Sequence, residues 1–124
     1  MKIVFIAGPY TGDGTAASIE KNIREAEKYQ IELANQQIGF FCAHNHTAHF
    51  SSTKGATAPE DFYYELDLYF LKKAADAVLA VPGWENSKGA REEVGWAKAN
   101  GLPVFCPRTP EDIGEVIEWY GRGK

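Results

Sequence analysis

The apolar positions of the chain follow two alternating patterns. Four short continuous runs are typical of strands buried on both faces of a parallel sheet: residues 2–7, 40–43, 76–81 and 104–106. Four segments in which apolar residues recur every three or four positions are typical of amphipathic helices: residues 18–37, 59–75, 87–100 and 109–120. This alternation predicts an α/β fold, with a single-domain, doubly wound parallel sheet of the flavodoxin/Rossmann-like type and four to five strands.

Three polar loops follow strands of this sheet, so all three belong to its carboxyl edge, where open α/β sheets bind ligands. They are Gly8 to Gly14, His44 to Phe50, and Gly83 to Gly89. With a strand order of 2-1-3-4, the crevice between strands 1 and 3 is lined by Gly8, Pro9 and Tyr10 on one side and by Ser87 to Glu93 on the other. The first loop matches neither a Walker loop nor a dinucleotide fingerprint, so it is either a phosphate cradle of another kind or a plain surface turn.

Glu93 lies one turn after Gly89, on the helix that follows strand 3, so no side chain covers it from the preceding turn. Beside the backbone amides of the helix start, its carboxylate is expected to stay ionised and to be able to attack an electrophilic carbon. The alternative is that Arg91, Glu92 and Glu93 form a solvated face of the helix.

Asp67 interrupts an aromatic helix, one turn after Tyr63 and Tyr64 and one turn before Leu71. Its side chain either points inward, where a charged carboxylate requires a hydrogen-bonding partner or has a functional role, or is exposed on a polar stripe of the helix. The aromatic residues lie on more than one side of this helix. That distribution is typical of a helix that packs on the sheet and also on a second surface, such as another subunit.

All three histidines, His44, His46 and His49, fall within six residues after strand 2. Three interpretations are open: a substrate-facing loop in which His44, Asn45 and His46 contact the ligand, a zinc site, or structural hydrogen bonding. The segment from Phe50 to Ala58 is rich in small and polar residues, which indicates a mobile loop and a possible lid.

Composition and charge limit the classes of function. A chain of 124 residues, 44% hydrophobic and 24% charged, is expected to form one domain over residues 1–124. The net charge of −4 argues against a nucleic-acid partner and favours a small molecule. No apolar run is long enough to cross a membrane, and the first residues do not resemble a signal peptide. Cys42 and Cys106 are expected to be buried, reduced thiols of a cytoplasmic protein. No metal and no cofactor is expected.

Several segments together resemble the nucleoside 2-deoxyribosyltransferase superfamily, and within it a small bacterial and phage branch with a His-Asn-His-Thr-like segment. The segments are Ile6-Ala7-Gly8-Pro9-Tyr10, Ala75-Asp76-Ala77-Val78, Pro82 to Ala97, and Gly101-Leu102-Pro103-Val104. The Gly-x-x-x-Glu-hydrophobic-Gly spacing that begins at Gly89 is the most specific part.

The resemblance implies that Glu93 is the nucleophile of a double displacement at C1′ of a nucleoside or nucleotide. Asp67 would correspond, within one residue, to the family aspartate that contacts the departing base and helps to protonate it. It also implies a homo-oligomer, a dimer or larger, with a shared site.

The sequence departs from the pattern of this superfamily at two positions, so other activities remain as alternatives. Ser87 stands where transferases of free nucleosides have an aspartate, as in hydrolases of nucleoside 5′-monophosphates, so Ser87 to Gly89 would bind a phosphate. However, the first loop lacks the arginine of those hydrolases, unless Lys88 or Arg91 replaces it. A third alternative is a nucleotide-binding module that has lost its catalytic activity.

Overall fold

The computed structural model describes residues 1–50 and 53–122, and its centre is a four-stranded parallel sheet. The strands are β1 (Ile3–Ala7), β2 (Gly39–Cys42), β3 (Ala77–Ala80) and β4 (Val104–Phe105), in the order β2-β1-β3-β4. In the register, Phe5 pairs with Phe41 on one side and with Val78 on the other. The predicted fold class and strand order are confirmed.

Five helices surround this sheet in the part of the chain that is described. They are α1 (Ala16–Asn35), α2 (Ala43–His46), α3 (Glu60–Ala74), α4 (Lys88–Ala99) and α5 (Gly114–Arg122), with a short 3₁₀ turn at Trp84–Asn86. Thr15 caps α1 by accepting a hydrogen bond from the Ser18 amide, and Ser87 caps α4 in the same way. Across residues 1–50 and 53–122, no helix combines the length and the apolar character needed to span a membrane.

Alternate residues of each central strand point to opposite faces, and this alternation builds two cores. Val4 and Ile6 of β1 pack in the core covered by α1 and α5. Phe5 and Ala7 pack in the core covered by α3 and α4. Because both faces are covered, every residue of β3 is buried, which explains its continuous apolar run.

Two predicted features at the ends of strands were wrong. The last helix begins at Gly114 and not near Thr109, because residues 109–112 form a separate turn in which the Asp112 amide donates to the Thr109 carbonyl at 3.0 Å. Ile113, only 3% exposed, then enters the core before the helix starts. Cys106 is exposed, whereas Cys42 is buried, and both are free thiols.

Candidate functional site

A cleft of about 660 Å³ opens at the carboxyl edge of the sheet, on the face covered by α3 and α4, and is called the front cleft here. Its size is within the range of ordinary small-molecule pockets, about 300–1,000 Å³. Four parts of the chain line it: the loop Gly8 to Gly12, three residues after β2 (Ala43, His44, Thr47), the first two turns of α3, and Asn86 to Ala90 with Glu93.

The two turns that frame the crevice between β1 and β3 touch each other. Gly83 has φ +94°, and a Cβ atom on it would lie 3.2 Å from Pro9 Cγ. A Cβ on Gly8 would lie 3.0 Å from Val81 Cβ. Glycine at these positions therefore lets the two strand ends meet at the base of the front cleft, which fixes the position of the Pro9–Tyr10 turn.

Glu93 lies on the second turn of α4 and is 8% exposed, with its side chain lining the front cleft. The alternative of a solvated helix face is therefore wrong for this residue. Burial, followed by the negative charges of Asp67 and Glu92, raises its pKa to about 8. The expectation that the helix start keeps this carboxylate ionised disagrees with the raised pKa, because the dipole acts mainly within the first turn and Glu93 lies beyond it.

Asp67 projects from α3 into the same cleft, so its side chain is turned inward. Its Oδ1 atom is inaccessible to solvent and has no hydrogen-bond partner among the residues described. Burial raises the pKa of Asp67 to about 6. A buried carboxyl oxygen without a partner is costly, and such groups are enriched at functional sites.

Asp67 and Glu93 together form a coupled carboxyl pair. With pKa values of about 6 and about 8, the pair holds one proton at neutral pH. One member is then a carboxylate and the other a neutral acid. A carboxylate beside a neutral carboxylic acid can combine a nucleophile or base with a general acid.

Tyr64 joins α3 to α4 beside this pair. Its hydroxyl donates a hydrogen bond to Glu92, and its ring covers the face of α4 at Gly89, where an added Cβ would lie 3.4 Å from Tyr64 Cε2. The space next to Gly89 is therefore partly occupied by an aromatic ring. This contact holds the helix of Asp67 against the helix of Glu93.

Tyr10 fixes the segment after β2. Its hydroxyl donates to the Thr47 carbonyl at 3.3 Å and accepts from the His49 amide at 2.9 Å. Burial raises the pKa of this phenol, so it remains neutral. The ring packs edge-on against His44, with centroids 5.2 Å apart. The hydroxyl therefore positions the cleft wall both as a donor and as an acceptor.

His44 is 7% exposed, and its Nε2–H donates to the Pro9 carbonyl at 2.7 Å. Burial lowers the pKa of this imidazole, so the neutral form is favoured. Because Nε2 carries the proton, Nδ1 is left as an acceptor. His44 thus lines the front cleft, as predicted, and also ties the ends of β1 and β2 together.

Ser87 and Lys88 lie at the mouth of the front cleft, at the start of α4. Ser87 Oγ accepts from the Ala90 amide at 3.3 Å, which leaves the hydroxyl hydrogen available as a donor. Arg91 is exposed and donates to the Glu85 carbonyl at 2.8 Å, away from the cleft. Of the two cations considered for a missing phosphate ligand, only Lys88 is in position.

Two of the predicted substrate-binding residues do not line the front cleft. Asn45 is exposed, and its Oδ1 accepts from Gln30 at 2.7 Å. His46 packs against Phe41 and Phe70, with ring centroids 6.0 and 5.6 Å away. These residues were expected in a loop, but the short helix α2 turns them away from the ligand side.

His49 lies apart from the other two imidazoles, with its Nε2 2.6 Å from Glu20 Oε2. The three histidine rings therefore have different partners. Over the described parts of the chain, no group of three His, Cys, Asp or Glu side chains is arranged to hold a metal ion. The cluster in the sequence instead divides into one cleft residue and two structural ones.

The predicted lid, Phe50 to Ala58, includes Ser51 and Ser52, which lie outside the described residues. Of the rest, Phe50 contacts the Tyr63 ring with centroids 6.2 Å apart, and Thr53 Oγ1 donates to the His49 carbonyl at 2.7 Å. The contact with Tyr63 places Phe50 beside the first turn of α3, next to the front cleft.

Sequence reasoning missed several residues of the cleft wall: Thr47, Glu60, Asp61, Tyr63 and Tyr64. The spacing of the aromatic residues carried a signal, because Tyr63 and Tyr64 stand one turn before Asp67 and share its side of the helix. Glu60 and Asp61, in the first turn of α3, add negative charge to the wall of the front cleft.

A family model described as Domain of unknown function (DUF4406) matches residues 2–106. Among solved structures, a 2-deoxyribosyltransferase from the psychrotolerant bacterium Bacillus psychrosaccharolyticus is similar, with a TM-score of 0.57 and 18% identity. The alignment covers 95% of this chain and 81% of that one. Among curated proteins nothing matches. At this identity the structural likeness shows a shared fold.

Proposed function

The chain belongs to the family described as Domain of unknown function (DUF4406), and with its front cleft as evidence we propose that it is an enzyme acting on the N-glycosidic bond of a nucleoside or deoxynucleoside. It cleaves or exchanges this bond through a glutamate nucleophile, Glu93. The single observation that carries the proposal is the carboxyl pair, in which the side chains of Glu93 and Asp67 line the same small-molecule cleft and burial raises both pKa values. The fold shared with a 2-deoxyribosyltransferase supports the same assignment.

In the first step, a Glu93 carboxylate oxygen attacks C1′ of the sugar. The C1′–N bond breaks, its electron pair goes to the base, and Asp67 gives its proton to that base. Because the pKa values of the free protein place the shared proton on Glu93, the substrate must move it to Asp67. Positive charge developing at C1′ favours this change, since it stabilises the ionised form of Glu93.

In the second step, another base or a water molecule attacks C1′ and breaks the ester bond to Glu93. Asp67, now a carboxylate, accepts the proton of the attacking group. A base as acceptor gives exchange, and water gives hydrolysis. The remaining lining of the front cleft offers aromatic faces, Tyr63 and Tyr64, on which a purine or pyrimidine can stack.

The charge of the cleft favours a free nucleoside over a nucleotide. Its lining contains the carboxyl groups of Glu60, Asp61, Asp67 and Glu93, against one lysine, Lys88. A phosphate dianion would be repelled by the exposed pair Glu60 and Asp61. The preferred substrate is therefore a nucleoside with an unmodified 5′-hydroxyl.

A second candidate is a nucleoside 5′-monophosphate N-glycosidase, and one observation favours it. Ser87 and Lys88 line the cleft at the start of α4, where the first amides of a helix have no partner within the helix and suit an anion. With a phosphate held there, C1′ would lie within reach of Glu93, which is six residues after Ser87 and five after Lys88.

The test is to incubate the protein with deoxynucleosides, ribonucleosides and their 5′-monophosphates, each with and without an acceptor base, and to follow the products by chromatography. Base exchange supports the transferase, and base release from monophosphates alone supports the second candidate. A protein that binds nucleosides but gives neither product is a binding module, and the proposal is then wrong.

We also propose that the protein acts as a homo-oligomer. Phe62 and Tyr69, two turns apart on α3, are 50% and 59% exposed, and their rings offer a surface for contact with a second copy. Sedimentation velocity at micromolar concentration tests this, and a monomer at all concentrations contradicts it.

A further inference from the structure

A second cavity, of about 470 Å³, lies behind the Gly8–Pro9 turn and is called the rear cavity here. It occupies the face of the sheet covered by α1 and α5, opposite the front cleft. Side chains of α1 between Lys21 and Tyr29, the loop residues Arg108 to Pro110, and the ends of β1 and β3 line it. The turn Gly8–Pro9 and His44 border both spaces, so they form the wall between them.

The rear cavity is located where ligands commonly bind in this architecture. The strand order reverses between β1 and β3, and the crevice outside the carboxyl ends of such strands is the usual ligand site. Here the Gly8–Pro9 turn divides that crevice in two. The proposed glycosyl transfer uses only the front half and leaves the rear half without an assigned role.

The charge of the rear cavity is opposite to that of the front cleft. Lys21 and Arg108 line it, and neither forms an ion pair with any residue in the described ranges 1–50 and 53–122. Its one acidic lining residue, Glu25, forms a solvent-exposed ion pair with Lys28 at 3.0 Å. In a protein of net charge −4, a pocket lined by two cations and one paired carboxylate favours an anionic ligand.

Tyr29 adds a neutral donor to this cavity. The residue is 3% exposed, yet its hydroxyl forms no hydrogen bond with the described part of the chain. Burial, and then the charges of Glu25, Glu111 and Asp112, raise the pKa of the phenol and keep it protonated. Among the described residues, Asp67 Oδ1 is the only buried side-chain oxygen or nitrogen without a partner, so the Tyr29 hydroxyl is accessible to solvent and can donate to a ligand in the cavity that the residue lines.

Most of the remaining wall is apolar, formed by Pro9, Ala26, Val81, Pro82 and Pro110, and the uncharged polar side chains of Asn22, His44 and Thr109 complete it. A volume of about 470 Å³ is larger than an inorganic ion needs and is in the range of organic ligands. We propose that the rear cavity is a second binding site, which takes a phosphomonoester with a small apolar or planar body, its phosphate lying among Lys21, Arg108 and the Tyr29 hydroxyl.

Calorimetric titration of the Glu93→Gln variant with AMP tests this site without turnover, and adenosine serves as the uncharged counterpart. Arg108→Ala and Lys21→Ala, added to that variant, each weaken AMP binding by about tenfold or more, because each removes a charge-assisted contact. Tyr29→Phe weakens it less. Lys88→Ala, which removes the cation of the front cleft, leaves AMP binding unchanged, and Arg108→Ala leaves adenosine binding unchanged.

Three results would overturn the proposal. The first is that AMP fails to bind. The second is that Lys88→Ala weakens AMP binding while Arg108→Ala does not, which would place the phosphate in the front cleft. Alternatively, inorganic phosphate binds as tightly as AMP, which would make the site one for a free ion. Since these titrations measure binding alone, their outcome is independent of whether the front cleft transfers a glycosyl group.

Discussion

Asp67 on α3 and Glu93 on α4 share one cleft, and the negative charge of Asp67 raises the pKa of Glu93. Burial raises the pKa of both carboxyl groups, to about 6 and about 8. Between these values the pair carries a single proton. Protonation of this pair, more than either residue alone, determines when the proposed reaction can run.

The first prediction concerns the pH dependence of kcat/KM. Below about pH 6 both carboxyl groups are protonated and no nucleophile remains, whereas above about pH 8 both are ionised and no acid remains. We therefore expect a bell-shaped profile with its maximum near pH 7. Initial rates of base release between pH 4.5 and 9.5 measure it.

The variant Asp67→Asn is the control for this profile. Because an amide does not titrate, the alkaline limb should disappear, and the rate at pH 7 should fall by about 10²–10⁴-fold, as is typical when a general acid is lost. An unchanged bell shape in this variant would show that Asp67 does not belong to the titrating pair.

The second prediction concerns stability. In the unfolded chain Glu93 ionises near 4.5, whereas in the folded protein it ionises near 8. Unfolding between these pH values releases a proton, so this residue lowers the free energy of unfolding as pH rises. Glu93→Gln should therefore be more stable than the natural protein at pH 9, by about 1–3 kcal/mol, and nearly equal to it at pH 4.

Urea denaturation at the two pH values measures this difference. Glu118→Gln is the matched control, because Glu118 is exposed on α5 and should show no pH-dependent gain. Equal gains in both variants would mean that loss of net charge, and not burial of Glu93, is the cause.

The third prediction is that alanine substitution at two glycines of α4, Gly89 and Gly95, has different effects on KM. At Gly95 an added Cβ meets nothing within 4 Å, whereas at Gly89 it meets the Tyr64 ring at 3.4 Å inside the front cleft. Both alanine variants gain helix propensity, up to about 1 kcal/mol. Only Gly89→Ala should raise KM, since only it narrows the cleft. Urea denaturation and steady-state kinetics of both variants decide this, and an equal KM in both would exclude Gly89 from substrate contact.

The fourth prediction concerns the Tyr10 hydroxyl. Tyr10→Phe removes its hydrogen bonds to Thr47 and His49 and should cost about 1–2 kcal/mol of stability. The His49 amide should then exchange its hydrogen faster, as monitored by NMR. Tyr69→Phe, whose ring is 59% exposed, is the control and should change neither quantity. Unaltered protection at His49 would mean that other contacts fix this segment.

The fold followed from sequence because its signals are local. Runs such as Ala77 to Val81 are apolar throughout only if both faces of the strand are covered, and short connections restrict the strand order. The start of α5 could not be predicted in this way. Thr109 and Pro110 have the chemistry of a helix start, but Ile113 must first reach the core, and this tertiary requirement overrode the local preference.

The candidate site was only partly predictable for the same reason. Glu93 and the Gly8–Pro9–Tyr10 turn could be placed at one edge from the strand order, whereas Asp67 was linked to the site only by the family resemblance. The pKa of Glu93 depends on burial by α3 and on the charge of Asp67, and both are far from Glu93 in the sequence. Likewise, helix α2 rotates Asn45 and His46 away from the cleft, and six residues of polar sequence gave no sign of that rotation.

The most direct test of the central claim is to look for a sugar bound to Glu93. The protein is incubated with deoxynucleosides in the absence of an acceptor base, quenched in acid, and analysed by mass spectrometry after proteolysis. The predicted result is a mass gain of one deoxyribosyl residue on the peptide that contains Glu93. In Glu93→Gln, both this mass gain and the release of base should be absent. Base release that persists in Glu93→Gln, or a sugar attached to a different residue, would contradict the account.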